Sequence, residues 1–280
     1  MKTIGFIDFF IDEWHANTYP GLIKNYNDKF GTDFVVKYAW AEVDSMQDKL
    51  TTSEWCDKMG AVKCDTIKEL CFKSDYVIVL APSNPEKHLA YAKEVFACGK
   101  NPYIDKTFAP DYATAKEIFD LAKKYNAKFF SSSALRYADE IFTRNAKSTA
   151  VVTTGGGSNL PEYIIHQIEM AVKCIGKGAT KVRYIKDADQ EWVEVKYNDD
   201  RSVKMLYSPW MPFTCISTND DGKSEYKKID SPFFDNLIAD ILNFFTTGEV
   251  SFDVSETLEV AKIREGAIKA SEQENVWINL

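Results

Sequence analysis

The stretch DYVIVLAPSNPEKH, residues 75–88, decides how this chain folds. Residues 76–81 are an unbroken apolar run of strand length, rich in β-formers, as befits a strand buried on both faces of a parallel sheet. Polar residues begin abruptly at its end with Pro82, Ser83, Asn84 and His88. In open α/β sheets ligands bind in the crevice beyond the carboxyl ends of the strands, so these residues stand where a ligand is expected. Residues 86–98 predict the next helix, with Leu89, Ala92, Val95 and Phe96 on one face and Gly99 to end it. A short strand at 102–104 then delivers Asp105, Lys106 and Thr107. Two successive strand ends are thus expected to aim polar groups into one crevice.

Outward from this stretch the alternation continues on both sides. Residues 2–7 predict a first strand, followed by a helix from near Glu13 or Gly21, and residues 34–43 a second strand ending in Glu42 and Asp44. A helix over 53–59, a short strand and another helix lead to residue 76, and 112–125 form an amphipathic helix with Ala115, Ile118, Phe119 and Ala122 on one face. Residues 128–131 predict a further strand. Strands alternating with helices make a doubly wound sheet, and the change of character after Ser133 divides the chain into domains 1–133 and 134–280.

The second part opens with a strand at 149–154 and then GGGSNLPEYIIHQIEMAVKCIG, residues 155–176. Three glycines before a helix suggest a phosphate loop, but no GK[ST] follows, which excludes that reading. In the helix Ile164, Ile165, Ile168, Ala171, Val172 and Ile175 form an apolar stripe, and Glu162, His166, Glu169 and Lys173 share the other side. Glu162 and His166 are neighbours one turn apart, although Asn159 with Glu162 also reads as a capping box. From residue 182 short alternating runs broken by NDDR and NDDG predict an antiparallel meander, then helices over 233–247 and 255–272 and a strand at 276–280. Trp192, Tyr207, Trp210 and Phe213 suit a core or subunit contact, since no basic residues interleave them as a nucleic-acid platform would need.

The 280 residues, 45% hydrophobic and 27% charged with a net charge of -8, describe a globular chain with room for two cores. The acidic balance argues against nucleic acid or an anionic membrane as partner. Six cysteines without CxxC pairs or zinc spacing predict no metal site, and with a strand-like opening in place of a signal peptide they predict a cytoplasmic protein with reduced thiols. No apolar run approaches the roughly 20 residues of a membrane helix.

APSNPEKH resembles the A-T-P-N-x-x-H loop, and YIDKT the E-K-P loop, of the glucose-fructose oxidoreductase, inositol dehydrogenase and rhizopine-catabolism (Gfo/Idh/MocA) family; the spacing and the GK before the second loop match too. The resemblance implies an N-terminal Rossmann-type doubly wound parallel sheet and a C-terminal α+β domain with a large, open, mostly antiparallel sheet. It also implies an NAD(P)-dependent oxidoreductase moving a hydride between a nicotinamide and a sugar- or polyol-like substrate, working as a homodimer or homotetramer. On this resemblance Lys106 would steady the alkoxide, His166 would act as base, and Glu162 or Asp105 would orient them. Glu42, Pro82, Ser83, Asn84, His88 and Arg136 would surround the dinucleotide. Glu42 stands where an acid bonds the adenosine ribose, with no arginine close behind, which favours NAD over NADP; a solvated acidic turn explains the same letters. His15 matches a histidine of the first helix in many relatives, and a partly exposed histidine beside Trp14 accounts for it as well.

The pattern breaks at IDFFIDEWHA, residues 7–16, where Asp8 and Phe10 occupy the positions of the family's glycines. Glycine there lets the backbone approach a pyrophosphate; a carboxylate at Asp8 would repel it and a ring at Phe10 would fill its space. Two alternatives follow. One is a relative that keeps a ligand cleft but has lost the dinucleotide and serves as a sensor or regulatory subunit. The other holds the dinucleotide without net turnover, as in relatives that use transient redox to cleave glycosides.

Overall fold

The computed structural model describes residues 1–46, 48–142 and 148–280. The chain divides into two compact units, 1–131 with 237–251 and 132–236 with 252–280.

In the first unit β1 (Lys2–Asp8), α1 (Trp14–Phe30), β2 (Phe34–Ala41), α2 (Thr52–Met59), β3 (Val62–Lys63), α3 (Ile67–Lys73), β4 (Tyr76–Val79), α4 (His88–Ala97), β5 (Tyr103–Ile104) and α5 (Tyr112–Lys124) follow one another. The strands lie in the order β3-β2-β1-β4-β5, every pair parallel. This is the doubly wound sheet expected from the sequence, and the chain reverses direction of winding between β1 and β4, where such sheets bind ligands. Ile4, Phe6, Ile7, Val77, Ile78 and Val79 are all fully buried, which explains why the strands read as continuous apolar runs. The strand expected over 128–131 reduces to one bridge between Phe130 and Tyr103. Asn101 takes the Lys128 N–H through its side chain at 2.8 Å, so that N–H is not free for a ladder.

The second unit contains α6 (Asp139–Phe142), β6 (Ser148–Gly155), α7 (Leu160–Ile175), β7 (Ala179–Asp187), β8 (Gln190–Tyr197), β9 (Ser202–Tyr207), β10 (Thr214–Asn219) and β11 (Ser224–Lys228), and, after α8 (Phe233–Thr247), α9 (Glu256–Ser271) and β12 (Ile278–Asn279). Residues 237–251, most of α8 and its exit, count with the first unit, where Phe245 stacks on Tyr76 at 4.8 Å and Phe244 meets Phe130 edge-on at 5.2 Å. The contiguous division at residue 133 omits this return. The seven-stranded sheet runs β11-β10-β6-β9-β8-β7-β12. Its pairs are antiparallel except β6 with β9, so the predicted meander β7-β8-β9 is joined to β10 through an inserted parallel strand.

Helices α7 and α9 contribute Ile164, Ile168, Val172, Val260 and Ile263 to a core shared with Val182, Val193 and Met205 of the sheet, each fully buried Ile or Val stabilising by about 1.5–3 kcal/mol. The glycines before α7 serve packing: a Cβ on Gly156 would lie 2.4 Å from the Ser208 carbonyl oxygen and 2.5 Å from that of Pro209. No described helix is long and apolar enough to cross a membrane, and all six cysteines are free thiols.

Candidate functional site

In the first unit three segments meet at the carboxyl ends of β1, β4 and β5. Leaving β1, Asp8 is buried, and its Oδ1 accepts from Phe9 N at 2.7 Å and Ala81 N at 3.0 Å. Ala81 has a left-handed φ of 59°, a conformation that costs a non-glycine residue about 1–2 kcal/mol. The ladder therefore ends at Val79 although the apolar letters run to Ala81. Asp8 Oδ2 is buried without a hydrogen-bond partner among the described residues. Burial pushes the Asp8 carboxyl well above its ordinary range, and the charges of Glu13 and Asp105 push the same way against the two backbone bonds.

Glu13 is the residue that sequence reasoning missed. It is the N-cap of α1, its carboxylate accepting from the backbone N–H groups of His15 at 2.8 Å and of Ala16. A helix N-terminus carries unpaired N–H groups and a partial positive charge, the seat that dinucleotide folds give to phosphate. Here the chain's own carboxylate sits in it. Burial raises the Glu13 pKa and Asp105 adds to the rise, against His15 and the two backbone bonds. The available signal was an acid immediately before the first helical residue, weakened because Ser, Thr, Asp and Asn are the usual caps. Phe10 is half-buried, its ring set against Phe9 with the Lys49 ammonium 5.4 Å from its centre.

Asp105 is completely buried after β5. Its Oδ2 bonds His15 Nδ1, and its Oδ1 accepts from Lys106 N at 2.8 Å and the Tyr103 hydroxyl at 3.2 Å. Tyr19 on α1 donates its hydroxyl to the same carboxylate at 3.4 Å. Burial alone would raise the Asp105 pKa; His15, then Lys106, outweigh it and hold the carboxyl below its usual range. His15 is thus a buried partner of Asp105 rather than a partly exposed histidine. Lys106 is half-buried beside this ionised group, and its ammonium has no hydrogen-bond partner among the described residues.

The remaining strand-end residues divide. Ser83 is exposed and Asn84 half-buried, bonded to Glu86 at 3.1 Å. The Pro82 carbonyl accepts from Thr107 N at 3.4 Å, linking the two loops. His88, expected to face the cofactor, is fully buried with Nδ1 3.0 Å from the Phe108 carbonyl and Nε2 beside that of Leu80, so neither ring nitrogen is left for a ligand. Glu42 lies at the end of β2, its N–H bonded to the Asp8 carbonyl at 3.1 Å, but its carboxylate already receives Lys87 and the Tyr91 hydroxyl. Lys87 chiefly holds the Glu42 pKa below its ordinary value.

In the second unit His166 on α7 is half-buried, its Nδ1 2.6 Å from Ser133 Oγ and its ring flanked by Tyr163 and Phe213. Glu162, one turn earlier, makes half of the expected capping box: its N–H bonds Asn159 Oδ1 at 2.9 Å, while its carboxylate receives the Asn159 side-chain amide at 3.2 Å instead of the backbone N–H. Glu169, expected on the polar side of the helix, is buried, and so is Arg136. Arg136 Nη1 lies 3.2 Å from Glu169, Nη2 bonds Glu256, and the guanidinium covers the Phe252 ring at 4.0 Å. Burial opposes the Arg136 charge, but Glu169 and Glu256 outweigh it and raise the pKa. With its guanidinium so engaged, Arg136 is a structural cation and not the cofactor contact that its sequence position suggests. No group of His, Cys, Asp and Glu among the described residues is arranged to hold a metal ion.

On the loops after β4 and β5, Ser83 is exposed and Lys106 half-buried, and these are the side chains there that a dinucleotide would meet. At the β1–α1 turn its pyrophosphate fits only with Glu13 withdrawn or neutral, because two anions compete for the same N–H groups.

No family model matches the chain. A curated relative, the uncharacterized oxidoreductase YhhX of Escherichia coli (strain K12), is 37% identical over 57 residues, which span 20% of this chain and 16% of that protein. Solved structures match along the whole length. GenD2 from gentamicin A biosynthesis, in complex with NAD, superposes with a TM-score of 0.77 at 12% identity over 100% of this chain and 97% of its own. UDP-N-acetylglucosamine 3-dehydrogenase GnnA from Acidithiobacillus ferrooxidans gives 0.70 at 13% over 98% and 97%. Biliverdin reductase from Synechocystis sp. PCC 6803, with biliverdin and NADP+, gives 0.67 at 12% over 96% and 98%. The chain shares the fold of these solved structures.

Proposed function

We propose that this chain is an NAD(P)-dependent oxidoreductase that moves a hydride between a nicotinamide and a sugar- or polyol-like substrate. The observation that carries the reading is the Asp105–Lys106 pair. A buried carboxylate, kept ionised by His15, holds a lysine at a strand end beside the switch point of a doubly wound sheet, and perturbed charges gathered at such a place mark functional sites. The fold shared with NAD-bound GenD2 and an NADP+-bound biliverdin reductase supports it. When bound, the nicotinamide supplies the hydride chemistry.

The chain's own residues supply the rest. Lys106 places a cation where negative charge grows on the substrate oxygen as its proton leaves. Taken by itself, the second unit offers His166 as a general base, with Ser133 Oγ 2.6 Å from Nδ1 to fix the ring. Asp105 positions Lys106 through the backbone N–H between them. Glu162 has its cap to keep and drops out of the reacting set. The free thiols suit a reducing cytoplasm, and the broad second sheet suits a homodimer or homotetramer. A panel of polyols, sugars and their oxidised forms, offered with each nicotinamide cofactor and followed by cofactor absorbance, tests the activity. Turnover of a member is expected; none across a broad panel would favour the ligand-binding alternative.

A further inference from the structure

We propose that Glu13 is the resident occupant of the anion seat at the start of α1, so that a dinucleotide pyrophosphate enters only as this carboxylate leaves or is neutralised, and its binding takes up a proton. The inference rests on the oxidoreductase reading and concerns how that cofactor site is gated. Two independent observations carry it. The Glu13 carboxylate already holds the His15 and Ala16 N–H groups, which are the donors a phosphate would use at this helix end. Beside it Asp8, 1% exposed, keeps one oxygen without a partner among the described residues, a second acid where a phosphate needs donors.

The charges around the seat explain the proton. Asp8 faces Glu13 in the turn, Asp105 after β5 and Tyr91 on α4. Glu13 faces Asp8, Asp105, and His15 and Tyr19 on α1. Of the basic side chains, His15 is bound to Asp105 and Lys106 stands next to it. Acids thus exceed cations before any ligand arrives, and a further anion favours protonation of a carboxylate. By linkage, affinity then falls as pH rises through the range in which that carboxylate loses its proton.

The test titrates NADH and NADPH into the whole chain at mildly acidic and mildly alkaline pH, reading tryptophan fluorescence and, by calorimetry in buffers of differing ionisation enthalpy, the protons taken up. The parent is expected to bind more tightly at the acidic pH with net uptake. Glu13→Gln keeps an acceptor oxygen on the helix but removes the charge. At the alkaline pH it is expected to bind about tenfold tighter or more, with less uptake. Asp8→Asn, which leaves the Glu13 cap in place, is expected to flatten the pH profile too and keeps the test sound if Glu13→Gln folds poorly. Parent binding that is indifferent to pH, or folded variants that bind no tighter, would overturn the gate while leaving the oxidoreductase reading intact. Failure of every form to bind either dinucleotide at any pH would overturn that reading, and the gate with it.

Discussion

Each unit buries a knot of charge, and the two are built oppositely. In the second unit one cation, Arg136, lies between Glu169 and Glu256, and Ser132 and Ser133 bond Glu169 as well. In the first unit Asp8, Glu13 and Asp105 share one neighbourhood, and of the three only Asp105 has a basic side chain, His15, bound to it. Buried charge that is fully paired explains itself as structure. Buried acids left over, at the carboxyl ends of a doubly wound sheet, mark a place that pairing alone does not explain. Sequence position suggested both Arg136 and Lys106 as site residues, and the company each keeps is what separates them.

That contrast breaks most readily at the two cations. If the first knot serves a ligand, Lys106→Met should lower turnover of any substrate found by about 10²- to 10³-fold, the usual cost of losing a donor to a developing oxyanion, with little change in melting temperature. Steady-state kinetics and thermal unfolding on one preparation decide it, and near-parental turnover would remove Lys106 from the chemistry. If the second knot is structural, Arg136→Met should do the reverse. It strands the buried Glu169 carboxylate and should cost about 3–5 kcal/mol of stability. Adding Glu169→Gln to that variant should restore part of the loss in urea unfolding; no recovery would show that Arg136 stabilises by packing on Phe252 instead.

The sequence made the frame legible because the frame is local. The apolar run before Pro82, the amphipathic α5 and the strand-end residues Asp105 and Lys106 announce themselves within a dozen residues. Partners do not. Arg136 finds Glu169 across 33 positions and Glu256 across 120, so neither pairing leaves a mark near Arg136. His88 looks like a ligand contact until both of its nitrogens are seen to hold carbonyl groups. The parallel pairing of β6 with β9 is set by tertiary contacts that an alternating pattern cannot express. Glu13 was within reach of local reasoning, since a helix was expected to begin near it, yet a glutamate cap is unusual.

The smaller effect is the one that sharpens the contrast furthest, because it asks whether the orphaned oxygen is a cost to the fold. Burial first, and then Glu13 and Asp105, raise the Asp8 pKa in the folded chain above its unfolded value. Below the unfolded value the group is neutral in both states and costs nothing. As pH rises toward the folded value the unfolded chain releases a proton that the folded chain still holds, so the stability present at low pH is progressively lost. Asp8→Asn cannot titrate, keeps an oxygen for the Phe9 and Ala81 N–H groups, and turns an amide donor toward the acidic neighbourhood. It should therefore be the more stable form near neutral pH, by about 1–3 kcal/mol, the penalty of a buried polar group left unsatisfied. The difference should shrink as the pH falls toward ordinary carboxylate values. Melting curves of both proteins across that range measure it directly. A gap of constant size would point to packing, and a less stable asparagine variant would mean that Asp8 is satisfied in the free protein, which would place the two knots in the same class.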